Sequence, residues 1–172
     1  TRQGSRDRLS LDYSFSYGWQ SPCRTKDVLD ATEYAVLMNE MNMNSGMSPV
    51  YDDPKSFGRG TDWQKEVFNY NAPVIEHQAS ISGGNDKLSY YLSFGYLYNE
   101  GIIGGNFNRS NYDRYSARAN TTYTFFDHQE RNWLRNFRGG VNMAYSRTTS
   151  MSIGENSERG SILGSAVSMS PI

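Results

Sequence analysis

What the chain lacks narrows its chemistry first. It carries a single cysteine, Cys23, so no internal disulfide can form, and that residue says little about redox compartment. Its two histidines, His77 and His128, stand far apart without the Cys or carboxylate spacing of a metal site, so no metal and no other cofactor is expected. No run approaches the roughly 18 apolar residues that a membrane-spanning helix needs, and the opening "TRQGSRDRLS" lacks a signal-peptide core. Helical insertion is thereby excluded, but insertion by strands is not. An excess of one charge is also missing: 17 Lys and Arg balance 18 Asp and Glu, and their scatter gives no field for nucleic acid, which is not an expected partner. Catalytic motifs are absent too. No nucleophile elbow positions a serine, and "EGIIGGNFN", with Gly104 and Gly105, reads as a surface turn because it holds neither GxGxxG nor GK[ST]. Asp52 and Asp53 before Pro54 read as a solvated turn rather than a calcium site. No enzymatic activity is expected.

What the chain does have is aromatic residues in period two. Only 37% is hydrophobic and mean hydropathy is -0.72, yet 14% is aromatic, with 13 Tyr. In "LSLDYSFSYGW" the odd positions Leu9, Leu11, Tyr13, Phe15, Tyr17 and Trp19 are large and apolar, and the even ones are small or polar. Such alternation makes a strand with two unlike faces. It recurs in "VIEHQASIS", in "LSYYLSFGYLYN", where Leu92, Phe94 and Tyr96 share a face, in "YSARANTTYTF" and in "FRGGVNMAYS". Strands are expected near 8–19, 74–82, 88–99, 113–125 and 137–147, with "SGGNDK" as a tight hairpin turn.

The connections are lopsided. Long outer loops are expected near 20–73, 100–112 and 148–172, alternating with shorter turns, as in transmembrane barrels. The strands run about 10 to 12 residues, against about five or six in soluble sheets and about 9 to 11 for a tilted bilayer crossing. Tyr and Trp gather toward strand ends, where an aromatic belt would lie. The fold class read from these features is all-β: a portion of an antiparallel transmembrane β-barrel of about five strands, with long extracellular loops carrying short helices. Tyr13, Phe15, Leu92, Phe94 and Tyr96 are then lipid-facing, and Arg114 and Arg118, on the polar face, either line a lumen or are solvated or paired with a carboxylate. The smallest closed single-chain barrels have about eight strands. Five strands cannot close, and open edges in lipid would leave backbone groups unpaired at several kcal/mol each, so the chain is expected to be one portion of a larger barrel.

The first long loop has its own pattern. In "DATEYAVLMNEMN", Asp30 precedes Glu33 by three residues in a capping-box arrangement, and Tyr34, Leu37, Met38 and Met41 fall on one helical face. A second short helix is expected from Thr61 in "TDWQKEVF". The stretch from Tyr51 to Gly60 lies between the two helices and outside every strand, so its deletion is expected to spare the scaffold. Tyr51, Phe57, Trp63 and Tyr70 are candidates either to stack on a substrate at the rim or to pack the loop's own small core.

"TDWQKEVF", then "HQASISGGNDKLSYYLSFGYLYNEGII", then "YDRYSARAN", together with "LDATEYAVLMNE", resemble the start of the barrel in the SusC/RagA family of TonB-dependent outer-membrane transporters, over roughly Leu9 to Ser146. The resemblance implies a barrel in the Gram-negative outer membrane that contacts outer-membrane lipid and follows an N-terminal plug. It also implies a SusD-like surface lipoprotein as lid, an oligosaccharide or peptide substrate, and energy from the TonB complex reached through a region N-terminal to these residues. The other reading of the same strands is a soluble β-sandwich or surface adhesin that buries the aromatic face. A sandwich favours shorter strands and cores of Val, Ile and Leu.

Overall fold

A computed structural model describes residues 9–104, 110–127, 136–153 and 161–172; Gly105 and His128 lie outside the described residues. Five strands, β1 (Ser10–Gln20), β2 (Ala72–Gly84), β3 (Leu88–Glu100), β4 (Asn111–Phe126) and β5 (Phe137–Met151), form one antiparallel sheet in sequence order. The sheet is open: each strand pairs with its sequence neighbours, and β1 and β5 are its edges.

Register follows the alternation. Ala79 lies opposite Phe94 and Phe94 opposite Ala117, while Ile81, Leu92 and Ala119 form the next row and His77, Tyr96 and Tyr115 the one before. All these positions share one face, because a slip of a single residue would turn a whole strand over. The β2–β3 turn is fixed by Asn85, whose Oδ1 accepts from the backbone N–H of Lys87 at 3.0 Å and of Leu88 at 2.8 Å. Next to it Gly83 lies opposite Tyr90, and a Cβ there would stand 2.6 Å from the Tyr90 hydroxyl oxygen. The ring lies over the space that glycine leaves.

Pairing outlasts the sequence pattern. β4 begins at Asn111 and β5 runs to Met151, beyond the expected bounds of 113 and 147. Glu100 pairs with Asn111 although neither is apolar. A ladder needs backbone partners, not alternation, so it continues where the side-chain pattern has faded.

The chain divides into two compact units: the strands, and a loop unit drawn from Gln20–Ala72, Gly101–Ser110 and Met151–Ile172. In the loop unit, α1 (Ala31–Asn44) starts with the full capping box: Asp30 accepts from the Glu33 N–H at 2.8 Å, and Glu33 accepts from the Asp30 N–H at 3.1 Å. Its buried face is Ala31, Ala35 and Asn39, spaced four apart, rather than the expected Tyr34, Leu37, Met38 and Met41. Leu37 and Met41 are about half exposed, at 51% and 52%. Small residues let the helix approach the neighbouring backbone closely, which a Leu or Met stripe would prevent. A 3-10 turn (Pro54–Phe57) packs against α1, and α2 (Trp63–Val67), capped by Asp62 and so starting two residues after Thr61, packs against α3 (Ile162–Ser168). The last helix falls in the expected third outer loop, where no helix was expected.

The segment from Tyr51 to Gly60 is not separable from this unit. The first amides of α1 have no intrahelical acceptor. Those of Ala31 and Thr32 donate to the carbonyls of Arg59 and Gly58, each at 3.1 Å, and the Thr32 hydroxyl adds a bond to Gly58 at 2.8 Å. These bonds join the segment to α1 and not to the strand ladder, so the expected sparing concerns the strands, and the loop unit is where the deletion should be felt. Removing 51–60 should abolish hydrogen-exchange protection across α1 while leaving β2–β4 amides protected. Retained α1 protection in the deletion variant would show that those bonds are dispensable.

Candidate functional site

The apolar face of the sheet is banded. Toward the end where β3 stops, the Tyr13 hydroxyl lies 2.9 Å from His77 Nδ1, the Phe15 ring is 4.8 Å from His77, and Tyr96 is 4.8 Å from Tyr115 between ring centres. Toward the other end Tyr123, Phe125 and Phe137 follow one another at 5.0 Å. Between these rows the residues are smaller and largely aliphatic, and Leu11, Ile81, Leu92, Ala117, Ala119 and Met143 line a shallow apolar hollow of about 490 Å³. From Leu88, opposite Tyr123, to Tyr96, opposite Tyr115, is eight residue steps along β3, roughly 26 Å, or roughly 20 Å in height at a typical barrel tilt. That is close to the apolar band of a transmembrane barrel, about 25 Å between aromatic girdles.

Polar residues on the same face mark the upper limit of the band. The Tyr96 hydroxyl donates to Asp113 at 3.2 Å and the Tyr98 hydroxyl to Glu100 at 3.3 Å. Nothing among the described residues forms a second sheet over this face, and Leu11, Phe94 and Met143 are 76%, 51% and 64% exposed. The soluble-sandwich reading requires a layer there. Tyr13, Phe15, Leu92, Phe94 and Tyr96 all lie on this face, with Tyr96 half-buried among its neighbours.

The opposite face is rich in hydroxyls. Arg114 and Arg118 are exposed there and border a hollow of about 770 Å³ together with Asp12, Gln78, Ser80 and Ser93. Ser93 is the cross-strand partner of Arg118 and Leu97 that of Arg114. Among the described residues neither guanidinium has an ion-pair partner. Glu76, two strands across from Arg114, instead accepts from Gln78 Nε2 at 2.8 Å.

The loop unit is held by amide side chains more than by an apolar core. Among the described residues its buried apolar side chains are small: Ala31, Ala35, Ala72, Ala166 and Pro171. Buried Asn39 accepts from the amides of Val50 and Tyr51, both at 2.9 Å, and donates to the Tyr51 carbonyl at 2.7 Å. Buried Gln64 pairs with both backbone groups of Lys26, at 2.9 and 2.7 Å. The Trp63 indole N–H donates to the Ser170 carbonyl at 2.8 Å, and the Thr61 amide to Pro171 at 2.9 Å. Gly60, at φ +65°, lies so close to Pro171 and Ala31 that no side chain fits. Asn39 and Gln64 gave no sign in the sequence; a lone amide in a helix gains meaning only from the backbone opposite it.

The four candidate rim aromatics do not converge. Tyr51 and Phe57 meet edge to face at 5.3 Å, and Tyr70 packs its edge on Phe68 at 6.4 Å. Of the four, Trp63 lines a cavity of the loop unit of about 460 Å³. Among the described residues no group of three or more His, Cys, Asp or Glu is placed to hold a metal, and Cys23 is a free, exposed thiol.

No family model matches the chain. It is 31% identical to the TonB-dependent receptor SusC of Bacteroides thetaiotaomicron over 147 residues, 83% of this chain and 13% of that protein. With the TonB-dependent receptor P3 of Formosa agariphila it shares 25% identity over 167 residues, 97% of this chain and 14% of that protein. It therefore spans about one seventh of the length of these curated relatives, which are receptors by name and not enzymes. Its fold matches part of a chain in the RagAB peptide transporter with a TM-score of 0.64, and in the closed-closed state of the RagAB peptide importer with 0.61. Both matches are at 23% identity and cover 19% of that chain.

Replacing Asn39 by Leu keeps the volume but leaves the Val50 and Tyr51 amides without their acceptor, at about 1–3 kcal/mol for each group left unsatisfied. Proteolytic nicking near Tyr51 should rise sharply in Asn39→Leu and less in Asn39→Asp, which keeps the acceptor. Equal resistance in all three proteins would remove Asn39 as the anchor.

Proposed function

The chain is SusC/RagA-like, similar over most of its length to a segment of TonB-dependent receptors, and we propose that it forms part of the barrel wall of a Gram-negative outer-membrane importer. The intact protein takes up oligosaccharide or peptide nutrients under a SusD-like lipoprotein lid. The TonB complex, reached through a more N-terminal region, supplies the energy. The observation that carries this reading is the banded face: an aliphatic strip between two aromatic rows on one side of the sheet, backed by a hydroxyl-rich face on the other. Lipid contact accounts for the exposed Phe94 and Leu11, and a watery interior for Ser93, Arg114 and Arg118.

Sidedness follows from strand direction. β1, β3 and β5 end, and β2 and β4 begin, at one end of the sheet, and the longest connection, residues 21–71 between β1 and β2, leaves from there, while the β3–β4 and β4–β5 connections are equal in length and do not separate the ends. At the other end the β2–β3 turn has three residues, Asn85 to Lys87. Short turns belong on the periplasmic side, so the loop unit is assigned to the cell exterior. An exposed apolar surface on α1, including Leu37, Met41 and Met43, supports a partner protein in that unit, since methionine-rich surfaces adapt to the shape of what covers them.

Arginine at Phe94 should cost about 2–4 kcal/mol of barrel stability, and arginine at Ser93 much less. Heat-modifiable gel mobility of the full-length protein reads the difference, and equal tolerance at both positions would reject the membrane assignment. On intact cells lacking the lipoprotein, a membrane-impermeant maleimide should label Cys23, and growth on the cognate nutrient should depend on TonB. Labelling only after the outer membrane is opened would invert the strand directions; growth indifferent to loss of TonB would reject energised import.

A further inference from the structure

We propose that the cavity of the loop unit binds a cationic group flanked by apolar atoms, a lysine or arginine side chain of an imported peptide. The inference rests on the importer reading and names a substrate class for it. At about 460 Å³ the cavity lies within the roughly 300–1,000 Å³ range of small-ligand sites. Its lips are apolar and wet: Val28 and Leu29 on the segment before α1, Val167 and Met169 on α3 and the residue after it, between 42% and 51% exposed. Trp63 forms part of the wall, with its indole N–H already committed to the Ser170 carbonyl, so it offers a caller its ring and not a donor.

The charge is one-sided. Asp27 and Glu33 border the cavity, and no lysine, arginine or histidine does. Glu33 already accepts from the Asp30 amide, but the Asp27 carboxylate has no hydrogen bond or ion pair among the described residues. The hydroxyls on the wall are those of Tyr34, Thr61 and Ser168, the last spent on the Gly164 carbonyl at 2.8 Å. An anion would meet two carboxylates, and a neutral sugar could bond the hydroxyls but would leave the Asp27 carboxylate without a counter-charge. A long aliphatic stem ending in a cation fits every part: the stem lies on the apolar lips, the charge pairs with Asp27, and the indole ring adds cation–π attraction.

The test uses the full-length transporter with its partner lipoprotein in cells, normalised to surface abundance. Two N-acetylated, C-amidated peptides serve as probes, identical except that one carries lysine and the other acetyl-lysine. The unsubstituted protein should import the lysine peptide faster. Asp27→Asn should lower that rate about fivefold at subsaturating peptide and leave the acetyl-lysine peptide within about twofold. Asp27→Lys should abolish the preference. Equal loss for both peptides, no loss for either, no preference in the unsubstituted protein, or reduced co-purification of the lipoprotein with Asp27→Asn would each overturn the proposal. TonB-dependent uptake of an oligosaccharide with neither peptide imported overturns this inference alone, whereas uptake that ignores TonB fails the importer reading itself.

Discussion

The pairing register of β2, β3 and β4 is the constraint on which the rest depends. Setting Ala79, Phe94 and Ala117 in one row brings most large apolar side chains of the central strands to one face, with Tyr91 and Leu97 among the exceptions, and every serine and arginine of those strands to the other. Hydrogen bonding alone would accept other registers, because backbone groups are the same at every position. Side chains decide among them: a one-residue slip of β3 would set Phe94 among serines and Ser93 among aromatics. The banding, the hollow between the aromatic rows and the hydroxyl-lined opposite face all follow from that choice.

Within this frame the small residues have as much effect as the large ones. Ala79, Ala117 and Ala119 leave the middle of the apolar face low, while at the end where β3 stops the tyrosines stand out, with hydroxyls hydrogen-bonded to His77, Asp113 and Glu100. A tyrosine with its ring toward hydrocarbon and its hydroxyl toward a polar partner suits a membrane interface. The sheet needs no buried core to be ordered in such a setting, which agrees with the absence of any large, fully buried side chain among the described residues.

The loop unit solves a different problem. It has too few apolar residues inward to hold itself by burial, so it is tied by side-chain amides that stand in for backbone: Asn39 treats Val50 and Tyr51 as a strand partner would, and Gln64 does the same for Lys26. Each tie satisfies groups that would be costly to bury unpaired. The arrangement leaves the longer side chains of α1, such as Leu37 and Met41, turned outward. Apolar surface of this kind is available for a partner, and the unit owes it to the close packing of Ala31 and Ala35 beneath.

Much of this was legible in the chain itself. Period-two alternation determined that there are strands, how many, and which residues share a face, because that period is a local property of an extended backbone. The capping box at Asp30 and Glu33 was legible for the same reason, lying within one turn. What the tertiary structure alone decided was anything that joins distant segments: the extra length of β4 and β5, the inward face of α1, the helix at Ile162–Ser168, and the cavity where Asp27, Trp63 and Met169 meet. Those depend on which backbone carbonyl or side chain arrives from beyond the next turn, 11 residues away between Asn39 and Val50 and 107 when the Trp63 indole finds Ser170, and no local period encodes that arrival.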